Sequence, residues 1–242
     1  MKGRTPKHSV PDRIVFLFDV DNTLLDNDQV IADLGKYLRR EVGDERARCY
    51  WAIFRKLRTR LGYADYLGAL QRYRSEYPHG LSLLAVSRFL IDYPFARRLF
   101  PKSLAVIERM KRWGAVVLLT DGDVVFQPHK VDRSGLNKAV DGHALIYVRK
   151  ERELADVEAR YPAEHYVLVD DKLRILAAVK RIWRSRVTTV FVRQGHYARD
   201  AKILASYAPA DVSIRRIGNL LNCDLTGFTP RTGNVVSDRL KS

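Results

Sequence analysis

Ile14-Val15-Phe16-Leu17-Phe18 runs straight into Asp19-Val20-Asp21-Asn22-Thr23. Five apolar residues without a polar member read as a strand covered on both faces, which is the pattern of a parallel sheet between helices. Four further aliphatic or β-branched runs, at 115–119, 144–148, 166–169 and 187–192, have the same character. Between them the apolar period changes to three and four. Over 101–113, Leu104, Ile107 and Met110 mark one helical face and Gly114 follows as a stop. Strands alternating with helices predict a doubly wound, mostly parallel α/β sheet.

Residues 26–100 break this alternation. They are rich in Tyr, Leu, Arg and Ala, hold almost no strand-like run, and place Leu34, Tyr37 and Leu38, then Trp51, Phe54 and Leu57, at helical spacing. The chain therefore divides into an α/β core, 1–25 and 101–242, and an all-helical insertion, 26–100, placed where a lid over a site would be. Residues 229–242 lack periodicity and are expected to fray.

Composition narrows the class. With 242 residues and 46% hydrophobic content the chain can bury a sizeable core. Its two cysteines, Cys49 and Cys223, are too few for a disulfide framework or a zinc cluster, and read as buried, inert thiols in a reducing compartment. No stretch approaches the roughly 18 apolar residues of a membrane span, and the basic, polar first ten residues lack the apolar segment of a secretion signal. A cytoplasmic location is the expectation. The formal net charge of +15 raises the possibility of nucleic-acid binding. Its clusters, 55–60 and 172–186, read better as solvated surface than as attraction for an anionic substrate, an aid to solubility or a nucleic-acid footprint; in the second, Leu173, Leu176, Ala177, Val179, Ile182 and Trp183 give a helix an apolar side and leave the bases on its wet face.

In an open parallel sheet, ligands bind beyond the carboxyl ends of the strands. There the sequence places Asp19 and Asp21 after the first run, Thr120, Asp121, Gly122 and Asp123 after the second, Lys150 after the third, and Asp170 and Asp171 after the fourth. Carboxylates so crowded repel one another unless a cation lies among them, and hard oxygen donors suit magnesium. A carboxylate can attack phosphorus covalently if the charge of the transferred group is neutralised. No glycine-rich dinucleotide or Walker loop is present, and the six histidines show no metal-binding spacing. His196, in the loop after the fifth run, lies at the same edge.

With these residues in order, the chain resembles the haloacid dehalogenase superfamily of phosphohydrolases, across about residues 14–225. Asp19-Val20-Asp21-Asn22-Thr23 matches its first motif. The resemblance implies that Asp19 is the nucleophile, that Asp21 protonates the leaving oxygen and later activates water, and that the metal takes a carboxylate oxygen of Asp19 and the backbone carbonyl of Asp21. Thr120 matches the second motif and would hold phosphoryl oxygens with the backbone of Asp121 and Gly122. Lys150 matches the third motif and would also bind phosphate, with Lys130 the alternative, assigned to the surface or to a supporting position. The fourth motif departs from its commoner form. Asp170 and Asp171 stand side by side, and Ile175 occupies the place of a later acid. Asp171 aligns with the main metal ligand and Asp170 would assist. Asp28 and Asp123 are expected to be solvated loop acids.

The implied activity is magnesium-dependent hydrolysis of a small phosphomonoester beneath a helical cap. Dehalogenases of the superfamily usually lack the second acid of the first motif, so Asp21 argues for phosphate transfer, since an alkoxide needs a proton to leave and a halide does not. A dehalogenase or phosphomutase variant using Asp19, or a basic nucleic-acid-binding protein with an idle site, are the alternatives.

Overall fold

In the computed structural model, which describes residues 12–78 and 83–224, six parallel strands form one sheet in the order β3-β2-β1-β4-β5-β6. They are β1 (Asp12–Phe18), β2 (Ala115–Asp121), β3 (Ala144–Tyr147), β4 (Ala163–Asp170), β5 (Val187–Val192) and β6 (Val212–Ile214). Among the described residues ten α-helices accompany them: α1 (Asn27–Val42), α2 (Asp44–Leu61), α3 (Tyr66–Glu76), α4 (Leu83–Ile91), α5 (Ser103–Met110), α6 (Phe126–Arg133), α7 (Leu136–Ala139), α8 (Leu154–Arg160), α9 (Leu173–Trp183) and α10 (Ala201–Ala205).

The two-residue period of a strand sorts the core into two layers. Ile14, Phe16 and Phe18 of β1 join one apolar cluster with Val116, Leu118, Val167 and Val169. Val15 and Leu17 join the other with Val117, Leu119, Tyr166, Leu168 and the inner face of α9. Both layers are closed to water, so Phe16 and Phe18, 1% and 0% exposed, each contribute roughly 1.5–3 kcal/mol by burial. This is why the strand that opens the chain could be read without alternation. β1 lies between β2 and β4, and the chain winds outward from it in both directions, which makes its carboxyl end the topological switch point.

α1 to α4 all fall between β1 and β2. Asp26 starts α1 by accepting the Gln29 amide at 2.9 Å, and Gly62, at φ 88°, ends α2 in the left-handed conformation that glycine adopts without steric cost. The segment leaves and re-enters the core side by side: the Asp26 amide donates to the Arg98 carbonyl at 2.7 Å and the Phe100 amide to that of Leu24 at 2.9 Å.

Several details differ from the sequence reading. β6, three residues long, went unanticipated, being too short to show a period. β3 ends at Tyr147, and Val148 is 50% exposed. Leu104 and Ile182 lie on the wet sides of α5 and α9, the buried side of α5 being Ser103, Val106, Ile107 and Met110. Both cysteines are only half-buried. Residues 229–242 lie outside the described residues. No helix of the described residues is long and apolar enough to cross a membrane.

Candidate active site

The turn after β1 is set by its own backbone. The Asp19 amide continues the ladder to the Val169 carbonyl at 2.9 Å, and the Leu24 and Leu25 amides both fold back to the Val20 carbonyl at 3.0 Å. Asn22 takes φ 63°, a left-handed conformation that asparagine tolerates better than most residues. Its side chain pairs with Asp28 in both directions, at 2.9 and 3.0 Å. Gly195 in the loop after β5, at φ 70°, approaches so closely that a Cβ there would stand 2.6 Å from that of Asn22.

Asp19, 1% exposed, has both oxygens engaged. Oδ1 accepts from the Lys150 ammonium at 2.6 Å and Oδ2 from the Thr23 hydroxyl at 3.2 Å. Burial would raise its pKa, but Lys150 and Lys172 outweigh that and hold the carboxyl below its ordinary value. Lys150 also donates to the Leu119 carbonyl at 2.9 Å and stands 2.7 Å from Asp170 Oδ2, as an ion pair rather than an aligned hydrogen bond. Burial alone would lower its pKa; Asp170, Asp19 and Asp121 together hold it above the usual lysine value.

The ends of β1 and β4 bring Asp19, Asp170 and Asp171 together, with one oxygen from each within 4.8 Å of the others. The two neighbouring acids are not equivalent. Asp170 accepts the Lys172 amide at 2.8 Å and faces Lys150. Asp171 is 0% exposed and neither of its oxygens has a hydrogen-bond partner; the Lys172 ammonium is 3.8 Å away. Burial pushes the pKa of both acids up, that of Asp171 far above its ordinary value. Orphaned carboxylate oxygens are costly inside a protein. Three converging hard donors fit a divalent cation.

Asp21 points elsewhere. Its two oxygens accept from the Lys130 ammonium at 2.8 and 2.9 Å, and Lys130 also reaches Asn27 Oδ1 at 3.0 Å. Lys130 is 1% exposed, so the surface assignment is wrong and the supporting one describes it. α6 buries Phe126, Gln127, Lys130 and Val131 along one stripe, which carries the polar pair Gln127 and Lys130 inward. Gln127 donates to the Thr120 hydroxyl at 3.0 Å.

Asp121 accepts the Lys150 amide at 2.7 Å, and burial pushes its pKa up to about 6. The Gly122 amide already donates to the Tyr147 carbonyl at 2.9 Å, so it is not the free phosphate donor expected; β2 runs on through Thr120 and Asp121, past the apolar run that marks it. Asp123 caps α6 through the Val125 and Phe126 amides. Asp28 is not simply solvated: besides Asn22 it holds His196 Nδ1 at 2.6 Å.

A cavity of about 410 Å³ opens over these groups, lined by Asp21, Asn22, Asp121, Lys172 and His196 from the core side and by Asn27, Phe54, Arg58, Tyr63 and Tyr66 from the insertion. Asn27, Gln127, Arg58 and Lys172 escaped the sequence reading. Lys172 and Arg174 were counted among the solvated bases of 172–186, yet both face the cavity. Their place in the first turn after Asp171 was the available signal.

Comparison with known proteins agrees with this arrangement. Residues 15–182 match the haloacid dehalogenase-like hydrolase family. Among solved structures, a haloacid dehalogenase-like hydrolase of Burkholderia xenovorans LB400 is 58% identical, with 88% of this chain and all of that chain aligned and a TM-score of 0.85. YfnB of Bacillus subtilis, a HAD-hydrolase bound to magnesium, is 16% identical over 87% of this chain and 98% of its own, with a TM-score of 0.57. The L-2-haloacid dehalogenase of Xanthobacter autotrophicus is 17% identical over 89% and 98%, with a TM-score of 0.58. The last two likenesses are of fold alone. No curated protein matches the chain. Motif order, sheet and family match agree, and the chain belongs to the haloacid dehalogenase-like hydrolase family.

Proposed function

We propose that this protein hydrolyses a small phosphomonoester in two steps, through a phosphoryl group carried on Asp19, with magnesium as cofactor. The observation that carries the reading is the buried trio Asp19, Asp170 and Asp171, in which Asp171 has no hydrogen-bond partner for either oxygen. Asp19, Asp171 and Asp170 would hold the cation. When bound, it would neutralise charge on the transferred phosphoryl group.

The chain's own residues divide the remaining work. An Asp19 carboxylate oxygen attacks phosphorus, and the bond to the leaving oxygen breaks. Lys150, fixed on Asp19 and on the Leu119 carbonyl, keeps that carboxylate ionised and offers positive charge to the phosphoryl oxygens. Thr120, its hydroxyl held by Gln127, binds one of them. Asp21, two residues along, gives the leaving oxygen its proton, then accepts one from the water that attacks the phosphoryl-aspartate. A halide would leave without that proton, so Asp21 favours phosphate transfer over dehalogenation. The insertion, whose Phe54, Arg58 and Tyr66 line the cavity, serves as the cap. Turnover of p-nitrophenyl phosphate should require magnesium and disappear in Asp19→Asn; persistence in that variant would exclude Asp19 as the nucleophile.

A further inference from the structure

The cavity carries more positive charge than the attacked phosphoryl group requires. Arg58, Lys172, Arg174 and Lys202 line it against only two acids, Asp21 and Asp121. Asp21 is already paired with Lys130. Two of the four bases have local work, since Lys172 lies beside Asp171 at 3.8 Å and Arg174 is paired with Glu151 at 2.7 Å. Arg58 and Lys202 have no carboxylate partner among the described residues. Arg58 meets only the neutral hydroxyl of Tyr197, with its guanidinium 5.9 Å from that ring's centre. They come from separate parts of the chain, Arg58 from α2 of the insertion and Lys202 from α10 after β5. Two cations without counter-ions on one small cavity are an anion-binding arrangement, because a carboxylate or phosphate gains charge-assisted hydrogen bonds there.

We propose that the substrate bears a second anionic group, a carboxylate or a further phosphate, which Arg58 and Lys202 bind apart from the phosphoryl group attacked by Asp19. This rests on the phosphomonoester reading for the attacked group, and on the cavity's own charge for the second. The volume of about 410 Å³ restricts the substrate to a small molecule.

Calorimetric binding of stable phosphonates to the wild-type protein with magnesium tests it without turnover. Propylphosphonate, phosphonopropionate and propylene bisphosphonate differ in the group at the far end: none, a carboxylate, or a phosphonate. At least one of the latter two should bind about tenfold tighter than propylphosphonate or more, the worth of one hydrogen bond to a charged group. The tighter of the two identifies the class. Arg58→Gln and Lys202→Gln should each reduce the preference; Lys202 is exposed, so its replacement does not threaten the fold. Equal binding of all three ligands, or a preference surviving both substitutions, overturns the proposal. Loss of the hydrolysis reading has a separate signature: no phosphate ester turned over while the preference among phosphonates stands.

Discussion

Lys130, buried on α6, holds both carboxylate oxygens of Asp21, at 2.8 and 2.9 Å. A short, flexible acid in the turn after β1 that must meet a leaving oxygen and then a water is thereby fixed in one rotamer by a group from α6. Lys130→Met keeps the length of the side chain and removes the grip. It should lower kcat by about tenfold to a hundredfold while KM changes far less, as measured on p-nitrophenyl phosphate. An unchanged kcat would make Lys130 a merely structural cation.

Asp21→Asn separates the two steps. Loss of proton transfer costs about a hundredfold or more, and the penalty on the first step should be heavy for alkyl phosphates and light for p-nitrophenyl phosphate, whose phenolate leaves without help. Stopped-flow absorbance should then show a burst of p-nitrophenolate equal to the enzyme, followed by slow turnover. A linear trace with equal losses on both ester types would contradict a proton-transfer role.

Asp171 makes opposite contributions with and without the cation. In chelator, its buried carboxyl group, which has no hydrogen-bond partner, destabilises the fold, so Asp171→Asn should raise stability by about 1 kcal/mol. Added magnesium should stabilise the wild type, by about 2.7 kcal/mol at a hundred times its dissociation constant, and the variant far less. Thermal melts with and without magnesium read both effects.

Much of this was legible in the sequence because the decisive residues sit at strand ends. The apolar run before Asp19 fixes β1, and a strand's carboxyl end fixes which edge Thr120, Lys150, Asp170 and Asp171 occupy. Lys130 and Gln127 were harder, since polar residues on the inner stripe of a short helix look like a solvated face. Which of two adjacent acids lacks a hydrogen-bond partner is likewise a matter of contacts: the Lys172 amide turns onto Asp170, and both oxygens of Asp171 are left without one. The positive cavity was hidden for the same reason, Lys172 and Arg174 having been grouped with the bases that follow them.

The insertion has its own acid-sensitive contact. Asp33 on α1 accepts from the Tyr93 hydroxyl and from Arg98, both at 2.6 Å, and from Gln29 at 2.8 Å. Partial burial would raise its pKa, but these partners outweigh it and hold it below the ordinary value. A lowered folded-state pKa means stability that is present above the unfolded value, near pH 4, and lost as pH falls through the folded one. Asp33→Asn should cost about 1–2 kcal/mol at neutral pH and flatten the acid limb of the stability curve. Denaturant melts from pH 7 down to pH 3 would show it, and parallel curves for the two proteins would contradict it.

The central claim is a covalent bond from phosphorus to Asp19. The direct measurement is mass spectrometry of acid-quenched Asp21→Asn protein after brief mixing with p-nitrophenyl phosphate and magnesium. One phosphoryl group per chain is expected, on the peptide that contains Asp19. A quenched protein without the adduct, while p-nitrophenolate is released in the burst, would mean that water attacks phosphorus directly and would contradict it.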